Sequence, residues 1–92
     1  MGAVYRWSQE KNIKLMEERG ISFEEVVLHL EQRQLLGIVH GKGKYGHQKQ
    51  FLVEVGKYVY IVPFVEEGKD RYFLKTVIPS RKMTRDYLMG GD

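Results

Sequence analysis

Gln50-Phe51-Leu52-Val53-Glu54-Val55-Gly56-Lys57-Tyr58-Val59-Tyr60-Ile61-Val62-Pro63-Phe64-Val65 is the stretch on which the fold turns. Residues 50–55 put Phe51, Val53 and Val55 on one face, the alternation of a half-buried strand. Gly56-Lys57 follows as a two-residue hairpin turn with glycine at its first position. Residues 58–65 are apolar on both faces, as a central strand must be. Pro63 cannot donate to a ladder, so a bulge or frayed pairing is expected near it.

Downstream, residues 66–70 read as a polar turn around Gly68. Residues 71–78 alternate again, with Tyr72, Leu74, Thr76 and Ile78 on one face and Arg71, Phe73, Lys75 and Val77 on the other. Pro79 stops this strand, and Ser80 can cap a last helix from Arg81 to about Met89. Upstream, residues 35–39 form a short strand that runs into the loop His40-Gly41-Lys42-Gly43-Lys44-Tyr45-Gly46-His47.

Helical signals dominate before that. Ser8 is a good N-cap ahead of Gln9-Glu10-Lys11, and Ile13, Leu15 and Met16 supply part of a buried stripe. Arg19-Gly20 closes the helix, glycine being free to take the left-handed conformation. Ser22-Phe23-Glu24-Glu25 is a capping box opening a second helix to about Gln34, with Ile21 placed to staple against Val26. A short strand at residues 4–7 can be added. The expectation is an α+β domain: two N-terminal helices, an antiparallel four-stranded meander and a C-terminal helix.

Composition bounds the function. A chain of 92 residues hides roughly 60–65% of its unfolded surface, enough for one core and one domain. Cysteine is absent, which excludes disulfides and thiolate metal sites and fits a reducing cytoplasm, the expected location. No stretch approaches the roughly 20 apolar residues of a membrane span, and residues 1–16 lack the apolar core of a signal peptide.

The net charge of +3 is unevenly spread. Residues 1–34 carry −1 and residues 35–92 carry +4, with five basic residues and no acid from Arg71 to Arg85. Such a segment suits a polyanion or an acidic protein partner, and equally a solvated charged face.

The glycine-rich loop lacks the Gly-Lys-Ser/Thr ending of a phosphate-binding loop. His29, His40 and His47 have no metal-ligand spacing, and no metal or other cofactor is expected. The remaining chemistry is a mixture of Lys, Arg, His and Tyr, which suits RNA: cations hold phosphates, and planar groups stack on unpaired bases. Metal-free RNA cleavage needs a base for the 2′-hydroxyl, a cation for the phosphorane and an acid for the leaving 5′-oxygen. Density of such groups is highest from His40 to Lys49, which also reads as a solvated hairpin loop. Lys75 stands in an otherwise apolar strand, where its stem can snorkel from a sheet edge. Arg81, Lys82 and Arg85 fall in the first turns of the last helix, where the dipole disfavours cations by about 0.3–1 kcal/mol each. Anion binding explains them better than helix stability does.

Three segments together, Trp7-Ser8-Gln9-Glu10-Lys11-Asn12, Arg19-Gly20-Ile21-Ser22-Phe23-Glu24-Glu25-Val26 and Val77-Ile78-Pro79-Ser80-Arg81-Lys82-Met83-Thr84-Arg85-Asp86-Tyr87, resemble the BrnT family of toxins within the RelE-like ribonucleases. The likeness spans about residues 5–88. It implies a ribonuclease of a bacterial toxin–antitoxin pair that slows translation. The implied partner is a ribbon-helix-helix antitoxin, which carries the contact with operator DNA. Lys11 matches the family's N-terminal lysine, Arg81 its C-terminal arginine and Tyr87 its terminal tyrosine. The chain departs from the family at Arg19, where a histidine is usual, and at Thr76 and Lys49-Gln50, where arginines are usual.

On this reading Arg81 and Lys49 hold the scissile phosphate, while Lys11, Lys75, His47 and Tyr87 are candidates for proton transfer. Lys42, Lys44, Arg71, Lys82 and Arg85 extend the RNA contact. The alternative is a catalytically inactive RNA- or antitoxin-binding module of the same fold. A domain that contacts DNA by itself ranks last, because no helix offers several base-reading side chains.

Overall fold

The computed structural model describes residues 2–41 and 48–89. The chain runs β1 (Val4–Arg6), α1 (Gln9–Arg19), α2 (Phe23–Glu31), β2 (Leu35–His40), β3 (Lys49–Val55), β4 (Tyr58–Gly68), β5 (Arg71–Leu74), β6 (Ile78–Pro79) and α3 (Arg81–Leu88). It is an α+β fold of three helices and one mixed sheet, ordered β1-β5-β4-β3-β2 with β6 also paired to β4. Among the described residues, no helix is long and apolar enough to cross a membrane.

The four-stranded antiparallel meander behind two leading helices is therefore corrected. The chain opens with a strand, and β1 pairs parallel to β5 in the register Tyr5↔Tyr72. Strands β2 to β5 pair antiparallel in sequence order. Three residues are too few to display a period of two, so β1 announces itself weakly.

The expected last strand is also broken, into β5 and β6. Pro63 accounts for the break. Its carbonyl accepts from the Lys75 backbone N–H at 2.8 Å. The nitrogen and oxygen of one strand residue face the same edge, so the missing donor of Pro63 faces the β5–β6 gap while its pairing with Gln50 of β3 is intact. The break shifts the phase of the alternation: Leu74 and Val77, expected on opposite faces, are both fully buried in one core.

Turn chemistry sets the other connections. Gly56 and Lys57 both have positive φ, 59° and 67°. The hairpin turn is thus of the type that needs two left-handed residues, rather than glycine at its first position alone. Ser8 Oγ accepts from Lys11 N at 3.2 Å and Ser22 Oγ from Glu25 N at 3.1 Å, capping α1 and α2. Gly20 closes α1 at φ 66°. Helix α2 stops at Glu31, short of the expected Gln34, because Arg33 turns left-handed at φ 64°.

Asn12 locks the two helices together. It is 2% exposed; its Oδ1 accepts from Phe23 N at 2.8 Å and its Nδ2 donates to Glu24 Oε1 at 2.7 Å. The residue thus satisfies a free N–H at the start of α2 from inside α1. Ile21, Phe23, Val26 and Leu30 of this corner pack with Leu15 of α1 on Phe51, Val53, Val55, Val62 and Phe64 of the sheet. Trp7 stacks on Phe23 with ring centroids 5.6 Å apart. Its Nε1 is the one buried side-chain polar atom lacking a partner among the described residues.

Strand alternation turns Leu52 and Val59 to the other face, where both are fully buried. Helix α3 packs on β4 there. Ser80 N donates to Val59 O at 3.0 Å, and Val59 N donates to Thr84 Oγ1 at 2.8 Å. That hydroxyl in turn donates to Ser80 O at 2.7 Å. The Thr84 hydroxyl thus bridges two strand-like groups, and the sheet edge ends on the helix.

Candidate functional site

Helical spacing places Lys11, Lys14, Leu15 and Glu18 along one side of α1. Leu15 turns inward to the core. The other three face the end of β5, where β1 has already left the sheet at Arg6 and offers β5 no further neighbour. The result is an open groove of about 450 Å³ lined by Ser8, Glu10, Lys11, Lys14, Phe73 and Lys75. A smaller depression of about 80 Å³ adds Leu15, Glu18, Arg19 and Thr76 and shares Lys11 and Lys14 with it. The two lie side by side along α1, with Lys11 and Lys14 between them.

Charge in these depressions is predominantly positive: Lys11, Lys14, Arg19 and Lys75 against Glu10 and Glu18. None of the four cations is ion-paired among the described residues. Arg19 Nη1 donates to Val77 O at 3.1 Å, so part of its fork holds the β5–β6 connection. The guanidinium keeps further donors for a ligand.

Phe73 supplies a planar surface at the rim. Its half-buried ring has Arg6 Cζ and Lys75 Nζ each 5.9 Å from its centroid. Arg6 is itself held by Glu67 at 3.1 Å.

Of the residues singled out from the sequence, the structure brings Lys11 and Lys75 together here. Lys49 does not join them. It opens β3, and its Nζ donates to Glu66 Oε1 at 2.6 Å. This hydrogen bond, and then the charge of Glu66, raise the Lys49 pKa above its ordinary value. Arg81 and Arg85 line a different groove, beside Tyr58. Arg71, Lys82 and Tyr87 are exposed and line neither groove. Lys42, Lys44 and His47 lie outside the described residues. The single converged site expected from the sequence is thus divided, because Lys49 and Arg81 sit on elements that the sheet order separates from α1.

Sequence reasoning missed Glu10, Lys14, Glu18, Arg19 and Phe73 as site residues. The i, i+3, i+7 spacing of Lys11, Lys14 and Glu18 was available as a signal. So was the shared face of Phe73 and Lys75.

Among the described residues, no three His, Asp or Glu side chains gather as metal ligands would. Comparison with protein-family models, with curated proteins and with solved structures finds no match for the chain.

Proposed function

We propose that the chain is a RelE-like toxin of the BrnT kind that engages single-stranded RNA in the α1–β5 groove and cleaves it without a metal. One observation carries the RNA reading: four cations with no ion pair among the described residues, and a half-buried aromatic ring, line two adjoining depressions along α1. Cations spaced along a helix track a phosphate backbone, and a ring at the rim offers any unpaired base a stacking surface. Duplex RNA presents no free base faces to such a ring.

The groove also holds the residue types that cleavage requires. On this reading Glu10 or Glu18 takes the 2′-hydroxyl proton. Lys14 and Arg19 stabilise the phosphorane, and Lys11 or Lys75 protonates the leaving 5′-oxygen. A ribbon-helix-helix antitoxin remains the partner that the resemblance implies, in the cytoplasm of a bacterium.

The second reading is an RNA-binding module of this fold that does not cut. The dispersal of Lys49, Arg81 and Tyr87 away from the groove favours it.

Titrating a labelled oligouridine into the purified protein at several salt concentrations tests the groove. If all four cations displace counterions, affinity falls roughly 50-fold for a fourfold rise in salt. The Lys14→Ala/Lys75→Ala variant should show about half that logarithmic slope. An unchanged slope and affinity in the variant would remove the groove from RNA binding. Gel analysis of the same RNA separates the readings: cleavage products lost in the variant support the toxin, and intact RNA supports the module.

A further inference from the structure

On the sheet face opposite α1 and α2, α3 leaves a second groove against the β3–β4 hairpin. Arg81 and Arg85, one helical turn apart, line about 430 Å³ together with Tyr58, Thr84 and Met89. An adjoining depression of about 310 Å³ shares Thr84 and Met89 and is bounded by Glu54, Lys57 and Leu88. Its apolar floor therefore carries three cations and one carboxylate at the rim.

Helix stability accounts for Arg85, which falls in the last turn of α3 rather than in its first turns as the sequence suggested, but not for Arg81. The first turn of α3 contains no acid, and Arg81 stands there against the helix dipole. Arg81 has no carboxylate partner among the described residues, and Arg85 only approaches Asp86, its neighbour in sequence, at 3.8 Å. Met89, beside them, is 68% exposed. An apolar strip flanked by the guanidinium of Arg81, which has no carboxylate partner among the described residues, and that of Arg85, held only loosely by Asp86, is suited to a ligand that is apolar along one side and anionic along another.

We propose that this groove docks an acidic amphipathic segment of a partner protein, with apolar side chains on Tyr58, Leu88 and Met89 and carboxylates on Arg81 and Arg85. The floor argues for protein over nucleic acid, whose interfaces are dominated by phosphate contacts to polar and charged groups. Charge argues against a second copy of this chain. Two-fold pairing through the same patch would set Arg81 and Arg85 against their own images. The proposal is independent of the RNA reading of the α1–β5 groove.

The test uses a labelled synthetic helical peptide about five turns long, with leucine on one face and glutamate on the other, and a matched leucine–lysine peptide. The full-length protein should bind the glutamate peptide, with NMR shifts confined to α3 and the β3–β4 hairpin, and should ignore the lysine peptide. Arg81→Glu/Arg85→Glu should weaken the glutamate peptide by about tenfold or more and acquire binding to the lysine peptide. Met89→Glu, at an exposed position, should weaken the glutamate peptide with the melting temperature unchanged. The proposal is overturned by failure of the glutamate peptide to bind, or by binding that the charge reversal leaves intact. Oligouridine shifting these same residues at lower concentration than the peptide would overturn it too, as would a dimer that the charge reversal dissociates.

Discussion

The sheet face under α1 and α2 joins twelve buried apolar residues in one cluster, whereas the face under α3 contributes Leu52 and Val59 and is closed by the hydroxyl of Thr84. The first is held by area. Tyr5, Phe51, Phe64 and Tyr72 interlock there, with Phe51 and Phe64 centroids only 3.9 Å apart. The second is held by two hydrogen bonds at one strand end and a short amphipathic helix. Burial of apolar area resists local opening, while a few bonds at a helix start resist it weakly. The α1–β5 groove lies at the edge of the sheet, between α1 and Phe73 and Lys75, whereas the α3 groove lies on the thin side.

The largest expected effect lies on the thick face. Phe23→Ala removes a fully buried ring at the joint of α1, α2 and Trp7 and should cost about 3–5 kcal/mol in chemical denaturation. A loss below about 1 kcal/mol would mean that the corner is not the stabilising core.

Thr84→Val addresses the thin face. It keeps the shape but orphans the buried Val59 N–H, at a cost of about 1–3 kcal/mol. Amide exchange should accelerate in α3 and β6 well before it does in β3. Uniform acceleration through the molecule would show that the two faces open as one unit.

Tyr5 gives a smaller, pH-dependent effect on the thick side. Burial first, then the neighbouring Tyr72, Glu31 and Asp70, raise its pKa. Its contribution to stability is intact below the unfolded tyrosine value of about 10 and is lost as pH rises through the higher folded value. Denaturation measured over an alkaline series should therefore decline less steeply in Tyr5→Phe than in the parent.

Lys49→Gln is expected to be silent. The Lys49–Glu66 contact at 2.6 Å joins two side chains that are each about half exposed, and exposed pairs of this kind contribute little. Because Lys49 lines neither groove, RNA affinity should be unchanged as well. A clear loss of RNA binding would move the site toward the end of β3.

The residues differ in how plainly they declared their places. Ser8, Gly20, Ser22 and Ser80 were legible as helix boundaries because capping is a contact within three or four residues. Pro63 was legible as a disruption, because a missing donor is a property of the residue itself. The re-phasing at Lys75–Val77 was not, since it depends on where Pro63 faces after β4 and β5 have paired. The role of Asn12 was hidden for the same reason: its partners, Phe23 and Glu24, are eleven and twelve residues away. In the candidate site, Lys11 and Lys75 were found individually through their residue type. Their meeting, with Lys14, Arg19 and Phe73, follows from α1 passing the end of β5 and the segment that joins it to β6.

What the sequence determined by itself is local: the helix starts, the stop of α1 at Gly20, the β3–β4 hairpin, the central position of the apolar β4, and an excess of positive charge late in the chain. These depend on backbone freedom and periodicity over a few residues. The tertiary structure alone decided the parallel addition of β1, the break that turns Val77 inward, and the division of the cations between two grooves. Each of those depends on strand order, which brings residues from opposite ends of the chain to one edge, and a period of two or 3.6 carries no information about which edge that is.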